Sequence, residues 1–297
     1  AQYAALRYQS IQPNGKFNRV EHEVWGTYRF LQKPYRYEYL SFFYRLFGLT
    51  RSFFATGANI EVRPIDSYDY FEPRKFGRWF KLPPMADASS FISTDYRKTV
   101  ALDARVRGGY QMDFDRYYYS VRLAPRFRFG DHFFAVLESI VTDTRNDYGF
   151  VPDTIANSIF FGRRNTFSVE NIINAQYVFT PTASLTLALR QSYTDVDYQS
   201  FYLLENSGDL TPANLGGVND LNFNTFNVDF KFSWWFAPAS ELVLLYRNVI
   251  ANAGKTVGAS YFQNLDGTLQ SPMQNNISIR LSYFLDYNTT RNRLKKS

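Results

Sequence analysis

His22 and His132 are the chain's two imidazoles, the residues most able to act as a general base or a metal ligand near neutral pH. His22 stands in Glu21-His22-Glu23, inside a segment whose apolar residues recur at every second position. Successive side chains of an extended strand point to opposite faces, so the two glutamates share one face and His22 takes the other. The imidazole cannot then be oriented by a carboxylate of its own motif, and only a residue from a neighbouring strand would complete a hydrolase-like dyad. His132 follows the turn Gly130-Asp131 and reads as an interfacial residue. A transition-metal centre needs several converging ligands, and a chain with no Cys and no suitable His or carboxylate spacing offers none. No catalytic residue, metal or cofactor is expected.

Asp143, Asp147 and Asp153 supply hard oxygen atoms of the kind calcium takes, but without a calcium-loop pattern they read as solvated acids. Gly162-Arg163-Arg164-Asn165 and the segment EPRKFGRWFKLPP, Glu72 to Pro84, interleave cations with aromatics. Such loops would grip lipopolysaccharide phosphates or an anionic glycan, with Trp79 stacking on a sugar. The plainer reading is an ordered loop whose cations lie near lipid headgroups.

The remaining charges are spaced with a purpose. A net charge of +6 over 297 residues would suit a nucleic-acid binder. Yet apart from the tail Arg291, Arg293, Lys295, Lys296, the cations stand singly inside alternating segments, so nucleic acid is not expected as a partner. Arg122, Arg126 and Arg128 alternate with Val121, Leu123, Phe127 and Phe129; Asp103, Arg105 and Arg107 alternate with Leu102, Ala104 and Val106. In FNVDFKFSWWFAPASELVLLYRN, Phe226 to Asn248, the even positions to Phe236 are bulky and apolar, whereas Asp229 and Lys231 hold odd ones. Further segments pair Leu185, Leu187, Leu189 and Tyr193 with Arg190, and Ile277, Ile279, Leu281 and Leu285 with Arg280 and Asp286. A strand with one charged and one apolar face is the signature of a transmembrane barrel, because a cation on the lipid side at mid-depth costs about 2–4 kcal/mol.

The elements that must position these faces are long strands. Aromatic residues make up 19% of the chain, yet the mean hydropathy is only -0.34. No apolar run approaches the ~18–20 residues of a spanning helix, so a membrane crossing requires a closed sheet. The two-residue period predicts about thirteen strands: 2–10, 17–31, 36–48, 52–66, 89–95, 99–111, 116–128, 132–146, 166–179, 184–198, 223–236, 241–252 and 274–287. Short turns at Gly130-Asp131, Thr180-Pro181-Thr182 and Ala237 to Ser240 alternate with long polar loops over 147–165, 199–222 and 253–272. That matches periplasmic turns and extracellular loops.

The expectation is an all-β, transmembrane, antiparallel up-and-down barrel of about 14 or more strands, with about 13 in this single domain, residues 1–297. The odd count points to at least one further strand upstream, in a longer protein of which this is the C-terminal part. A girdle at the turn side is expected from Phe127, Phe129, Tyr177, Phe179, Trp234, Trp235 and Phe236. Asp103, Arg105, Arg107, Arg122, Arg126, Arg128, Glu138, Glu170, Arg190, Asp229, Lys231, Arg280 and Asp286 are expected to face the lumen. Either water fills it, giving a conduit favouring anions, or opposite charges pair across it and plug it.

FISTDYRKTVALDARVRGGY (Phe91 to Tyr110), GRRNTFSVENIINAQYVFTPTASLTLALRQSY (Gly162 to Tyr193), the Phe226 to Asn248 stretch and LSYFLDYN (Leu281 to Asn288) resemble the barrel of an outer-membrane family of Bacteroidota. That family is catalogued as domain of unknown function 5916. The resemblance runs from about Phe71 onwards and is looser before it. It implies an outer-membrane location, with lipid and lipopolysaccharide as surroundings, and a link to glycans, because members typically carry an N-terminal carbohydrate-binding domain. It brings no catalytic residue. The expected role is therefore a membrane anchor or porin-like transport scaffold. The alternatives are a non-catalytic barrel subunit bound to other outer-membrane or periplasmic proteins, and an integral-membrane hydrolase.

Overall fold

The structure is a computed structural model that describes residues 1–285 except 11, 14, 153–157 and 217–219; Asp153, Asp286 and the basic tail lie outside the described residues. In chain order the elements are β1 (Gln2–Gln9), β2 (Phe17–Gln32), β3 (Tyr35–Thr50), β4 (Ala55–Arg63), β5 (Ser67–Asp69), β6 (Phe80–Leu82), β7 (Met85–Ser93) and β8 (Val100–Gln111). There follow β9 (Arg116–Phe129), β10 (Phe133–Val151), β11 (Phe160–Thr180), β12 (Ala183–Leu204), β13 (Leu210–Ala213), β14 (Leu221–Ala237), β15 (Ser240–Gly254), α1 (Tyr261–Leu269) and β16 (Met273–Ser282). Each of the thirteen expected strands has its counterpart. They form one antiparallel path in chain order, to which β13 adds by pairing with β12, making a sheet of 14 strands; β5 and β6 form a separate ribbon.

The connections sort to two ends. At the turn end they span 10–16, 51–54, 94–99, 130–132, 181–182 and 238–239; at the loop end, 33–34, 64–84, 112–115, 152–159, 205–220 and 255–272. The expected alternation of lengths needs correction at 33–34 and 112–115, which are short although they lie at the loop end. The loops expected at 147–165 and 199–222 are also partly strand. β10 and β11 stay paired through Phe150 and Phe161, and β12 pairs with β13 through Leu203 and Thr211. These extensions alternate Tyr and Phe with Gly, Arg and Ser, and that mixture hides the period.

Register carries the two faces from strand to strand. Val106, Val121, Val141 and Val169 align across β8 to β11, and Tyr177, Leu185, Phe232, Leu244 and Ile279 align across β11 to β16. One residue along, on the other side, Arg105 aligns with Arg122. Burial follows an inverted pattern: Glu21, Asp87, Asp103 and Gln111 are buried, whereas Leu6, Val106, Leu123 and Ile277 are exposed.

The sheet curves. β3 and β12 stand seven places apart along the path, about 34 Å in a flat sheet at ~4.8 Å per strand. Yet Trp79, just before β6, lies 4.9 Å beneath the Arg36 guanidinium of β3 and donates from Nε1 to the Ser207 carbonyl at 3.0 Å, beyond β12. The β5–β6 ribbon thus bridges distant strands at the loop end. Its Leu82 shares a cavity with Arg63, Gln111 and Arg116 of the charged face, which places the ribbon on that side. Phe80 anchors it in an apolar cluster with Ile159, Phe161 and Leu204, flanked by Phe114, Tyr148 and Phe150.

Replacing Phe161 with Ala removes a fully buried ring from this cluster, at a cost of about 3–5 kcal/mol. Hydrogen exchange should show the Lys81 amide, which donates to the Gly208 carbonyl, losing protection while β14–β15 amides keep theirs.

Candidate functional site

The charged face is a set of ion pairs laid along the wall. Arg107 Nε lies 3.1 Å from Asp87, Arg126 Nε 3.1 Å from Asp103, and Arg280 2.9 Å from Glu241. Arg247 grips Asp229 with two parallel bonds of 2.7 and 2.8 Å. Arg122 pairs with Glu138, and Arg190 with Glu170. Every one of these pairs joins adjacent strands, and none crosses from one side of the sheet to the other. Of the two alternatives for the charged face, these six pairs give no example of opposite charges meeting across an interior. Adjacent strands stand only ~4.8 Å apart, so a neighbour's carboxylate is the nearest partner available.

Asp103 is the most thoroughly held of these acids. It is 8% exposed and accepts from Ser93 Oγ at 2.6 Å, from the Tyr96 hydroxyl and from Arg126. Other cations on this face have no carboxylate within ion-pair distance among the described residues. Arg105 rests 5.7 Å from the Phe91 ring centroid, and Lys231 acts on Glu241 only through its charge, without an ion-pair contact among the described residues. Arg128 belongs to the turn end, where it lies 3.7 Å from the exposed Asp131. The face keeps a cationic surplus.

The ribbon and the β12–β13 connection close over a cavity of 260 Å³ lined by Asp66, Lys81, Asp113, Phe114 and Asp209. A hydrogen bond from Lys81 to Asp66, then the charges of Asp66 and Asp209, raise the Lys81 ammonium above its ordinary value. At the turn end, Asp95 is held down to about 2 by hydrogen bonds from the Arg97 side chain and amide. Its clamp on Arg97 therefore lasts until the pH falls through that value.

The opposite face carries the aromatics at the turn end. Rings follow one another from Phe129 to Phe133, from His132 through Tyr177 and Phe179 to Phe232, and from Trp234 through Phe236 to Tyr283, at centroid spacings of 5.0–6.5 Å. Phe127 lies on the same face of β9, two residues before Phe129. Trp235 departs from the expected girdle, because alternation turns it to the charged side between Trp234 and Phe236.

A family model described as "Domain of unknown function (DUF5916)" matches residues 1–294. The chain belongs to that family. No curated protein gives a match. The match takes in β1 to β4 as well, so the first strands of this DUF5916 chain are family elements along with the rest.

The chemical candidates of the DUF5916 chain take structural places. His22 lies on the apolar face, its Nδ1 2.9 Å from the Tyr44 hydroxyl and its ring beside Tyr8, with no serine partner. His132 Nδ1 bonds the Val178 carbonyl at 2.8 Å. Asp143 is held by Arg145 and Tyr119; Asp147 by Arg116 and Arg164; and no metal-binding group of acids and histidines occurs among the described residues. Arg163 is engaged with Asn146. Trp79 is half-buried, with Arg36 over its ring and Gly208 against its indole edge, so it works as a clip.

Sequence reasoning missed two features here. One is a row of Tyr110, Tyr117 and Tyr119, exposed near the loop end of β8 and β9 on the apolar face, a second aromatic level. The other is α1, which has a capping box: Ser260 Oγ accepts from the Gln263 amide, and the Gln263 side chain accepts from the Ser260 amide. The Ser-x-x-Gln spacing was the available signal.

Replacing Asp103 with Asn strips charge from three bonds at a buried site and should cost about 1–3 kcal/mol. Asp229→Asn, beside the half-exposed Arg247, should cost only about 0.2–1 kcal/mol. Urea unfolding followed by tryptophan fluorescence checks the order.

Proposed function

We propose that this chain is a transmembrane β-barrel wall of the bacterial outer membrane, working as a membrane anchor and porin-like scaffold around a cationic lumen. One observation carries the reading: the inverted distribution, with Glu21, Asp87 and Asp103 withdrawn on one side of the sheet and Val106, Leu123 and Phe230 exposed on the other. Hydrocarbon against the apolar side removes the cost of that exposure, and an antiparallel sheet satisfies its own backbone, which is what a bilayer demands. The aromatic chain from Phe129 to Tyr283 fits the headgroup level of one leaflet, and Tyr110, Tyr117 and Tyr119 fit the other.

The lumen is the charged side in this reading. Its ion pairs lie along the wall, so they do not fill the interior, and unpaired Arg45, Arg105 and Lys231 would draw anionic solutes. The β5–β6 ribbon acts as a cover at the extracellular end. Lipopolysaccharide and phospholipid surround the barrel, and glycan handling is the process we assign to it on the family resemblance. A second reading, a non-catalytic subunit of a larger outer-membrane complex, is favoured by the edges: every residue of β1 and β16 is exposed. A hydrolase has no support in the surroundings of His22.

In lipid vesicles Val121→Arg should destabilise the protein by about 2–4 kcal/mol, whereas Ser120→Arg, one residue away on the lumen side, should change stability far less. A monodisperse chain in surfactant-free buffer would overturn the membrane reading. In planar bilayers under a salt gradient the reversal potential should favour anions, and Arg105→Glu with Lys231→Glu should move it toward cations. Absence of conductance would leave the anchor and remove the conduit.

A further inference from the structure

α1 folds onto the apolar side of the sheet, at the loop-ward limit of its greasy rows. On β12 that side reads Leu185, Leu187, Leu189 and then turns polar with Gln191, Tyr193 and Asp195; on β14 it reads Phe230, Val228, Phe226 and then Asn224 and Asn222. The helix covers this polar patch. The Tyr261 hydroxyl donates to Gln191 Oε1 at 2.9 Å, Asn171 Nδ2 donates to the Tyr261 hydroxyl at 3.0 Å, and Asn222 Nδ2 donates to Asn264 Oδ1 at 2.9 Å. Just past the helix, Asn252 Nδ2 donates to Ser271 Oγ at 2.9 Å, and Tyr193 is buried edge-on beneath Tyr261. Tyr193 is thus covered by protein, although its place in the alternation put it on the open apolar face.

The orientation reverses that of an ordinary surface helix, which buries its apolar stripe and leaves polar residues outside. Here Tyr261, Asn264 and Thr268 meet the sheet, while Phe262 is 77% exposed and Leu269 45% exposed. Phe262, Leu265 and Leu269 follow at i, i+3 and i+7, so they form one stripe.

We propose that α1 is an interfacial anchor whose Phe262–Leu265–Leu269 stripe enters the acyl layer of the loop-end leaflet. The inference rests on the membrane reading above. Lipid is the occupant because the stripe is exposed on the same side of the sheet as Leu189, Phe230 and Leu244. Asp266 is the only charge in Tyr261–Leu269, so a charged partner would find little to hold. Amphipathic helices bind an interface through buried apolar area in this way.

A chain with no Cys permits single-site labelling without removing native thiols. Nitroxides at Phe262→Cys, Asp266→Cys and Phe230→Cys, in phosphatidylethanolamine–phosphatidylglycerol vesicles, would be compared for collision with oxygen and with a water-soluble nickel chelate. Labels at 262 and 230 should both prefer oxygen several-fold over the label at 266. A label at 262 that follows 266, while 230 remains in lipid, overturns the anchor alone. A label at 262 shielded from both reagents also overturns it, because protein then covers the stripe. A label at 230 that meets the nickel chelate defeats the membrane reading itself, and the anchor with it.

Discussion

Alternation locked by register is the constraint from which the rest of this molecule follows. Each strand points successive side chains to opposite sides, so a slip of one residue between β8 and β9 would put Arg122 in the row held by Val106 and Val141. In the membrane setting proposed above, that exchange would cost about 2–4 kcal/mol for each cation moved, and β9 carries several. The pairing that satisfies the backbone is therefore also the pairing that sorts charge from grease.

The ion pairs reinforce the same choice at short range. Arg107 with Asp87, Arg126 with Asp103 and Arg247 with Asp229 each join neighbouring strands, so each rewards the correct register and only that one. These pairs run along the sheet, and at the loop end a different element makes the long-range contacts. There the β5–β6 ribbon, held by Phe80, Trp79 and the Lys81 amide, ties β3 to the far side of the curve.

Much of this was legible in the sequence. The charged and apolar faces of β8, β9, β12, β14 and β16 follow from period-two alternation, and every main strand could be located. What stayed hidden lies beyond the apolar zone. The upper parts of β10 to β12 set Tyr and Phe among Gly, Arg and Ser, so no apolar row marks them as strand. The ribbon β5–β6 has strands too short to show a period, and its placement depends on Phe161 and Leu204, distant in sequence. α1 runs against the usual rule that apolar residues mark the buried stripe. Trp235 shows the converse error: three consecutive aromatics suggest one belt, although neighbouring residues cannot share a face. The contacts of Trp79 with Arg36 and Gly208 are tertiary, so no local pattern announces them.

Between β1 and β16 lie twelve antiparallel steps, and an even number of reversals returns the chain to its starting direction. The two margins of the wall are thus codirectional. A seam joining them directly would be parallel, unlike any other junction in the sheet. A second copy set edge to edge, with its turns at the same end, would meet the same mismatch. Only an odd number of intervening strands, beginning with one that runs the opposite way, would carry the antiparallel hydrogen-bond pattern from one margin to the other, with its apolar side in line with Leu6 and Ile279 and its polar side in line with Arg7 and Arg280.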